Sequence, residues 1–117
     1  MPPPADAVAA TLAGTADRAT VKAAVKSALD ALVAVAPGGS VEVRIPPYAV
    51  AQAIPGTRHR RGTPPAVVET DAVTWLRLAT GALSWAAAVD SGAVRASGQR
   101  ADLSPWLPLL GPVGPTS

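Results

Sequence analysis

The hydrophobic positions in the first third of the chain recur at helical spacing. From Thr20 onward, apolar residues fall three or four positions apart, as they do on the buried face of a helix. Thr20 is placed to cap this helix, and Pro37 with the two glycines after it ends the helix. A shorter helix is possible over residues 5–13, where Gly14 would end it. The residues predicted to face the core from the longer helix are Val21, Val25, Ala28, Leu29, Leu32 and Val35.

The middle of the chain alternates apolar and polar residues, which is typical of half-buried strands. The alternation is strict over residues 41–45 and weaker over the alanine-rich residues 48–54, and residues 66–70 are predicted to form another strand. Residues 58–61 are charged and are compatible with either a further edge strand or a loop. Residues 93–97 are predicted to form the last strand.

Two short helices are predicted between the last two strands. The first is capped by Thr70 or Asp71, runs to about Thr80 and ends at Gly81. The second is capped by Ser84. Its residues predicted to point inward are Trp85, Ala88 and Val89.

This order of elements predicts an α+β fold, with roughly five strands in one sheet that helices cover on one face. A last short helical segment, interrupted by Pro105 and Pro108, closes the fold. Residues 17–110 are expected to form this single domain. A partly ordered lead-in over residues 1–16 and a flexible tail over residues 111–117 are expected to flank it.

The composition narrows the classes of function. The 117 residues carry a formal net charge of only +2, which is too weak to indicate nucleic acid as the main partner. Cysteine is absent, so disulfides, thiolate catalysis and cysteine-ligated metals are excluded. The N-terminus does not match a signal peptide, and no stretch is apolar enough for a membrane span. We therefore expect a cytoplasmic location.

The residues that carry chemistry do not form a recognisable catalytic or metal-binding pattern. His59 is the only histidine and has no ligand partner at metal-binding spacing. The carboxylates are scattered, and Asp71 is better explained as a helix cap than as an acid or base. Ser84 and Ser104 also fit caps and have no base placed by the sequence. We predict no catalytic residue, no metal site and no cofactor.

One concentrated charge stands out, namely the basic run Arg58, His59, Arg60 and Arg61. It could hold an anionic head group, a phosphate of coenzyme A or a peripheral anionic membrane surface. The alternative, which we favour, is a solvated strand edge whose charge prevents edge-to-edge pairing.

The second half of the chain also follows a recognisable order of turns, caps and core positions. From Val67 it reads VVETDAVTWLRLATGALSWAAAVDSGAVRASGQRADLSPWLPLL. This order resembles the C-terminal half of the sterol carrier protein 2-like superfamily. The matching residues are Thr70, Asp71, Leu76, Leu78, Thr80, Gly81, Leu83, Ser84, Ala88, Gly92, Val94, Gly98 and Leu103.

The upstream piece VEVRIPPYAVAQAIPGTRHRRGTPP resembles a compact bacterial branch of that superfamily that is common in actinobacteria, so the resemblance covers roughly residues 20–110. It implies a five-stranded sheet covered by helices. In larger relatives, an apolar tunnel between sheet and helices holds sterols, fatty acids or acyl-CoA. This chain is shorter, and the two prolines interrupt its closing segment, so it departs from those relatives where the tunnel would close.

Two hypotheses follow from this resemblance and from the residues. The first is a non-catalytic carrier of an apolar ligand, a sterol, fatty acid or acyl-CoA, which needs a cavity of roughly 300 Å³ or more. The second is a ligand-free interaction or regulatory module on the same fold, with an exposed apolar patch or a homo-oligomer. The candidate cavity residues, for which simple core packing is the alternative, are Trp75, Leu76, Leu78, Leu83, Trp85, Val89, Trp106, Leu107 and Leu110.

Overall fold

Two helices precede the sheet, and two more lie between its last two strands. The computed structural model describes residues 4–56, 66–98 and 101–111 of the chain. A short 3₁₀ helix (Ser104–Trp106) lies in the segment that follows the last strand. The other elements are α1 (Pro4–Ala13), α2 (Arg18–Val35), β1 (Val41–Ile45), β2 (Ala49–Ala53), β3 (Ala66–Thr70), α3 (Ala72–Thr80), α4 (Trp85–Asp90) and β4 (Val94–Ser97).

The α+β class is confirmed, and the sheet is mixed. Its strand order is β2-β1-β3-β4, with β1 antiparallel to β2 and parallel to β3, and with β3 antiparallel to β4. The described part of the chain therefore holds four strands and not the roughly five that we expected. The charged segment 58–61, which was considered as a further edge strand, lies outside the described residues.

The alternation of side chains along β1 separates the two faces of the sheet. Val41, Val43 and Ile45 are fully buried, whereas Glu42 and Arg44 point to the opposite side. Strand β3 alternates in the same way, with its first, third and fifth residues buried. One face of the sheet is therefore part of the hydrophobic core, and the other, which we call the outer face, carries the polar positions of each strand.

Helix α2 begins earlier than the sequence pattern predicted. Asp17 caps it, and its Oδ1 atom accepts a hydrogen bond of 2.8 Å from the backbone N–H of Thr20. Hydrogen bonding from Thr20, mainly through its side chain, also lowers the pKa of Asp17. The prediction that Thr20 caps the helix is thus wrong, because the preceding aspartate supplies the acceptor and Thr20 supplies a donor of the first turn.

The buried face of α2 matches the prediction except at its last residue. Val25, Leu29 and Leu32 are buried, together with the alanines that lie between them on the same face. Val35 was predicted to face the core, but 60% of it is exposed. It is the final residue of α2, and the next residue, Ala36, takes the buried position instead.

The side chain of Trp75 links α3 to α2. It is fully buried, and its indole N–H donates a hydrogen bond of 3.3 Å to the carbonyl oxygen of Val25. A buried indole N–H needs such a partner, because an unpaired donor in the core is costly. Leu76 and Leu78 are also buried, so α3 has core neighbours on several sides. This position explains why apolar residues lie on more than one side of the helix.

The predicted ends of α3 are confirmed. Asp71 caps the helix, with its two carboxylate oxygens accepting from the backbone N–H and the hydroxyl of Thr74 at 2.8 and 2.9 Å. Gly81 ends it in the left-handed conformation, at a φ of 84°, which a residue without a Cβ atom adopts at little cost. The Thr70 hydroxyl, the alternative cap, instead donates to the carbonyl oxygen of Ala93 at 2.7 Å.

Helix α1 adds to the core from within the segment that was expected to be a partly ordered lead-in. Ala7 and Val8 are each only 1% exposed, and α1 packs against α2 and α3. The Thr11 hydroxyl, which is also buried, donates to the carbonyl oxygen of Ala7 at 2.8 Å and so satisfies its own hydrogen bonding inside the helix.

We expect the substitution Leu76→Ala to lower the free energy of unfolding by about 2–5 kcal/mol, because it leaves a cavity at a position with no solvent exposure. Urea denaturation of the two proteins measures the difference. Val73→Ala in the same helix is the matched control, since Val73 is 38% exposed and its truncation should change stability by less than about 0.5 kcal/mol. Equal midpoints for Leu76→Ala and the parent would contradict the packing described above.

The cap of α3 gives a second prediction. Asp71→Ala removes the acceptor of two hydrogen bonds at the start of the helix, and we expect it to cost about 0.5–2 kcal/mol of stability. Asp30→Ala is the control, because Asp30 is an exposed residue within α2 and not a cap. Thermal or urea unfolding that shows the same loss for both variants would mean that Asp71 stabilises the protein only through its charge.

Candidate functional site

An apolar recess of about 250 Å³ lies between the end of α3, the start of α4 and the segment that follows β4. None of the described residues that line it carries a charge. Its apolar walls and its lack of charge fit a hydrocarbon group better than a polar one. The lining residues are Leu78, Gly81, Leu83, Ser84, Trp85, Ser104, Leu107 and Pro108.

One wall of the recess is the tight connection from α3 to α4. After Gly81 the chain turns back, and the backbone N–H of Leu83 donates to the carbonyl oxygen of Arg77 at 3.2 Å. The hydroxyl of Ser84 then accepts a hydrogen bond of 3.1 Å from the backbone N–H of Ala87, which confirms Ser84 as the cap of α4. Leu83 and Trp85 stand on either side of this cap, so the start of the helix fixes both side chains at the recess.

The opposite wall is formed by residues 101–110, which follow β4 and which we call the closing segment. Leu103 anchors this segment. Leu103 is fully buried, and the carboxylate of Asp102 accepts a hydrogen bond of 2.9 Å from the backbone N–H of Ser104. Pro105 lies in the first turn of the 3₁₀ helix, where a missing N–H group removes no hydrogen bond. The helix ends at once, and Leu107, in extended conformation, contributes its side chain to the recess.

Two backbone hydrogen bonds attach the far end of this segment to α3. The N–H groups of Leu109 and Leu110 both donate to the carbonyl oxygen of Ala79, at 2.9 and 2.8 Å. Ala79 lies in the last turn of α3, where the carbonyl oxygens have no N–H donor within the helix. Pro108 packs beside Gly81, where an added Cβ atom would lie 3.5 Å from the proline ring. The segment therefore closes over the end of α3.

Four of the nine residues predicted for an apolar cavity line this recess, namely Leu78, Leu83, Trp85 and Leu107. Trp75 and Leu76 are fully buried core residues that are not part of its lining. Trp106 and Leu110 are partly buried and pack against the core beside it. The inward orientation predicted for Val89 is wrong, because Val89 is 38% exposed and Ala88 takes the buried position of the short helix α4.

The recess also contains residues that the sequence did not identify as site residues. Gly81, Ser84, Ser104 and Pro108 were interpreted only as turn, cap or helix-breaking positions. Those local roles are real, but the residues reach the recess through the contact between the closing segment and α3. No local pattern in the sequence signals that contact.

The basic run is the remaining candidate site of the sequence analysis. The basic run Arg58, His59, Arg60 and Arg61 lies outside the described residues. Within the described residues, no three acidic, histidine or cysteine side chains are grouped in a way that could hold a metal ion. In those same residues, no helix has the length and apolar character needed to cross a membrane.

Comparison with known proteins identifies the family. A family model described as a bacterial SCP ortholog matches residues 17–109, which is well over half of the chain. The search of curated proteins gives no match. The matched region includes α2, all four described strands, α3, α4 and the closing segment to Leu109, so it contains every lining residue of the recess. The chain belongs to this family of bacterial SCP orthologs, which is a sterol carrier protein-like family.

Proposed function

We propose that this protein is a non-catalytic carrier that binds the hydrocarbon part of a small amphipathic ligand in the recess beneath its closing segment. The observation that supports this most directly is the uncharged lining, with Leu78, Leu83, Trp85 and Leu107 on facing walls. Membership of a sterol carrier protein-like family points to the same class of ligand.

The volume of the recess distinguishes between the candidate ligands. This recess measures about 250 Å³, which is below the roughly 300 Å³ that we expected for a carrier and below the usual range of about 300–1,000 Å³ for drug-sized molecules. A rigid sterol ring system needs a wide cavity, whereas an acyl chain can enter a small one with only part of its length. The size therefore favours the acyl chain of a fatty acid or acyl-CoA over a sterol.

The closing segment provides a route for entry. It is joined to α3 by the two hydrogen bonds to the Ala79 carbonyl oxygen and by contacts of Pro108 and Leu107. Pro108 has no backbone N–H, so it cannot donate a further hydrogen bond to the helix. A segment with few backbone hydrogen bonds to its neighbours opens at low cost, and its opening would widen the recess for a longer chain.

The polar end of the ligand would lie at the rim. Ser104 is exposed and is the hydroxyl-bearing residue of the closing segment among those that line the recess. A carboxylate or thioester oxygen can accept a hydrogen bond from a hydroxyl at this place. The basic run of residues 58–61 remains the second candidate for an anionic head group.

Trp85 gives a direct test, because it lines the recess while Trp75 is fully buried. In a Trp106→Phe background, we expect saturable changes in Trp85 fluorescence on titration with short- and medium-chain fatty acids. Acyl-CoA of matched chain length should give the same change, and a sterol a weaker one or none. Trp75 serves as a constant background, because removing it would disturb the core.

Leu83→Asp is the variant that should abolish this binding, since it places a charge in an uncharged recess. Leu12→Asp is the matched control, because Leu12 is an equally half-buried leucine on α1 that does not line the recess. If the parent shows no saturable response to fatty acids, acyl-CoA or sterols, the carrier proposal fails. A ligand-free interaction module would then be the better account of this fold.

A further inference from the structure

The outer face of the sheet carries an ordered row of charges. Where the strands pair, Arg44 of β1 lies beside Val50 of β2 on one side and Glu69 of β3 on the other, and Glu69 lies beside Arg95 of β4. The row therefore reads valine, arginine, glutamate, arginine across the four strands. Glu42 lies two residues before Arg44 on the same side of β1 and forms an ion pair of 3.2 Å with it.

A second row runs parallel to the first. Glu42 of β1 lies between Gln52 of β2 and Val67 of β3, and Val67 lies beside Ser97 of β4. Both rows are open to contact, since Val50 is 60% exposed and Gln52 and Ser97 are exposed as well. The four charges of this face, from two arginines and two glutamates, sum to zero.

We propose that this outer face is a homodimer interface in which a second copy of the chain packs face to face, with a two-fold axis running along the strands between β1 and β3. In the second copy, such an axis reverses the order of the strands across the sheet, while each residue keeps its position along the strand direction. It therefore places β1 opposite β3 of the second copy. Arg44 then faces Glu69 of the second copy, and Glu69 faces Arg44, because these two residues are register partners within one sheet.

The other positions are compatible with the same arrangement. Val50 comes to lie opposite Arg95 of the second copy, whose methylene groups can cover an exposed valine while the guanidinium group reaches water. Gln52 lies opposite Ser97, which gives a pair of hydrogen-bonding side chains. Arg44 has five N–H donors, so it can keep Glu42 of its own chain and still bind the second copy's Glu69.

The size of the outer face limits the strength of this dimer. Four strands about 4.8 Å apart, each with four or five residues rising about 3.3 Å, span on the order of 300 Å² of flat area. A standard stable interface buries about 800 Å² per partner, so this dimer is expected to be weak. We expect it to form at micromolar or higher concentrations and to weaken as salt is added, because its central pairs are ionic. The recess is formed by α3, α4 and the closing segment and shares no residue with this face.

Charge reversal tests both the interface and its symmetry. Arg44→Glu places like charges opposite each other in both central pairs, because the new glutamate faces Glu69 of the second copy. Glu69→Arg does the same with Arg44, so each variant alone should weaken dimerisation about tenfold or more in sedimentation-equilibrium experiments. The double variant, with both reversals, should dimerise again. A mixture of the two single variants should form heterodimers, because each central pair then joins opposite charges.

The control is Lys22→Glu, a reversal at an exposed position of α2 that lies away from the outer face, and it should leave the dimer unchanged. Circular dichroism verifies that each variant is folded. A parent protein that is monomeric up to millimolar concentration overturns the proposal. A dimer that neither single reversal weakens, or single variants that do not associate when mixed, also overturn it. Fatty-acid binding at the recess is measured separately and should be the same in all four variants, so the two proposals can fail independently.

Discussion

The packing of Trp75 against α2 is the contact on which much of this architecture depends. The chain contains no phenylalanine and only three tryptophans, and alanine fills many of the buried helix positions. Small residues let helices approach closely but bury little area each, so one large side chain carries a large share of the core. The hydrogen bond from the Trp75 indole to the Val25 carbonyl oxygen fixes how α3 lies against α2. Trp75 and Leu76 are buried in the interior, and the recess lies at the far end of α3, beside the buried Leu78.

Local signals in the sequence were sufficient to predict the features of the structure that depend on residues close together in the chain. Asp71, Gly81 and Ser84 act as the caps that their residue types predict, because capping involves groups only three or four positions away. The same kind of reasoning failed at α2, where Thr20 was preferred and Asp17 has the role. Both residue types can cap a helix. The apolar pattern shows where the buried face of the helix begins, but it does not show where the first turn begins.

The errors at Val35 and Val89 and the incomplete site prediction have a different cause. Periodicity places a residue on a face of its helix, but burial requires that another element covers that face, and neither valine has such cover. The recess depends on a contact between residues about thirty positions apart, namely the closing segment and the Ala79 carbonyl oxygen. The sequence could therefore identify apolar residues in and near α3, α4 and the closing segment as site candidates. It could not show which of them belong to the core and which line the recess.

The way the closing segment is held determines how it can open. Leu103 is fully buried, so a movement that includes it would expose core surface, and the hinge must lie after it. Beyond Leu103 the described attachment includes the two hydrogen bonds to the Ala79 carbonyl oxygen, the contacts of Leu107 and Pro108, and the packing of Trp106, Leu109 and Leu110 against the core.

A protein hydrogen bond contributes about 0.5–1.5 kcal/mol net, and two donors that share one acceptor contribute less than two independent bonds. Burial of one methylene group is worth about 0.8 kcal/mol, so a few methylene groups of an acyl chain offset the loss of these two hydrogen bonds. The ligand that we propose would open the recess without unfolding the helices, since the Trp75 contact with α2 does not involve the closing segment.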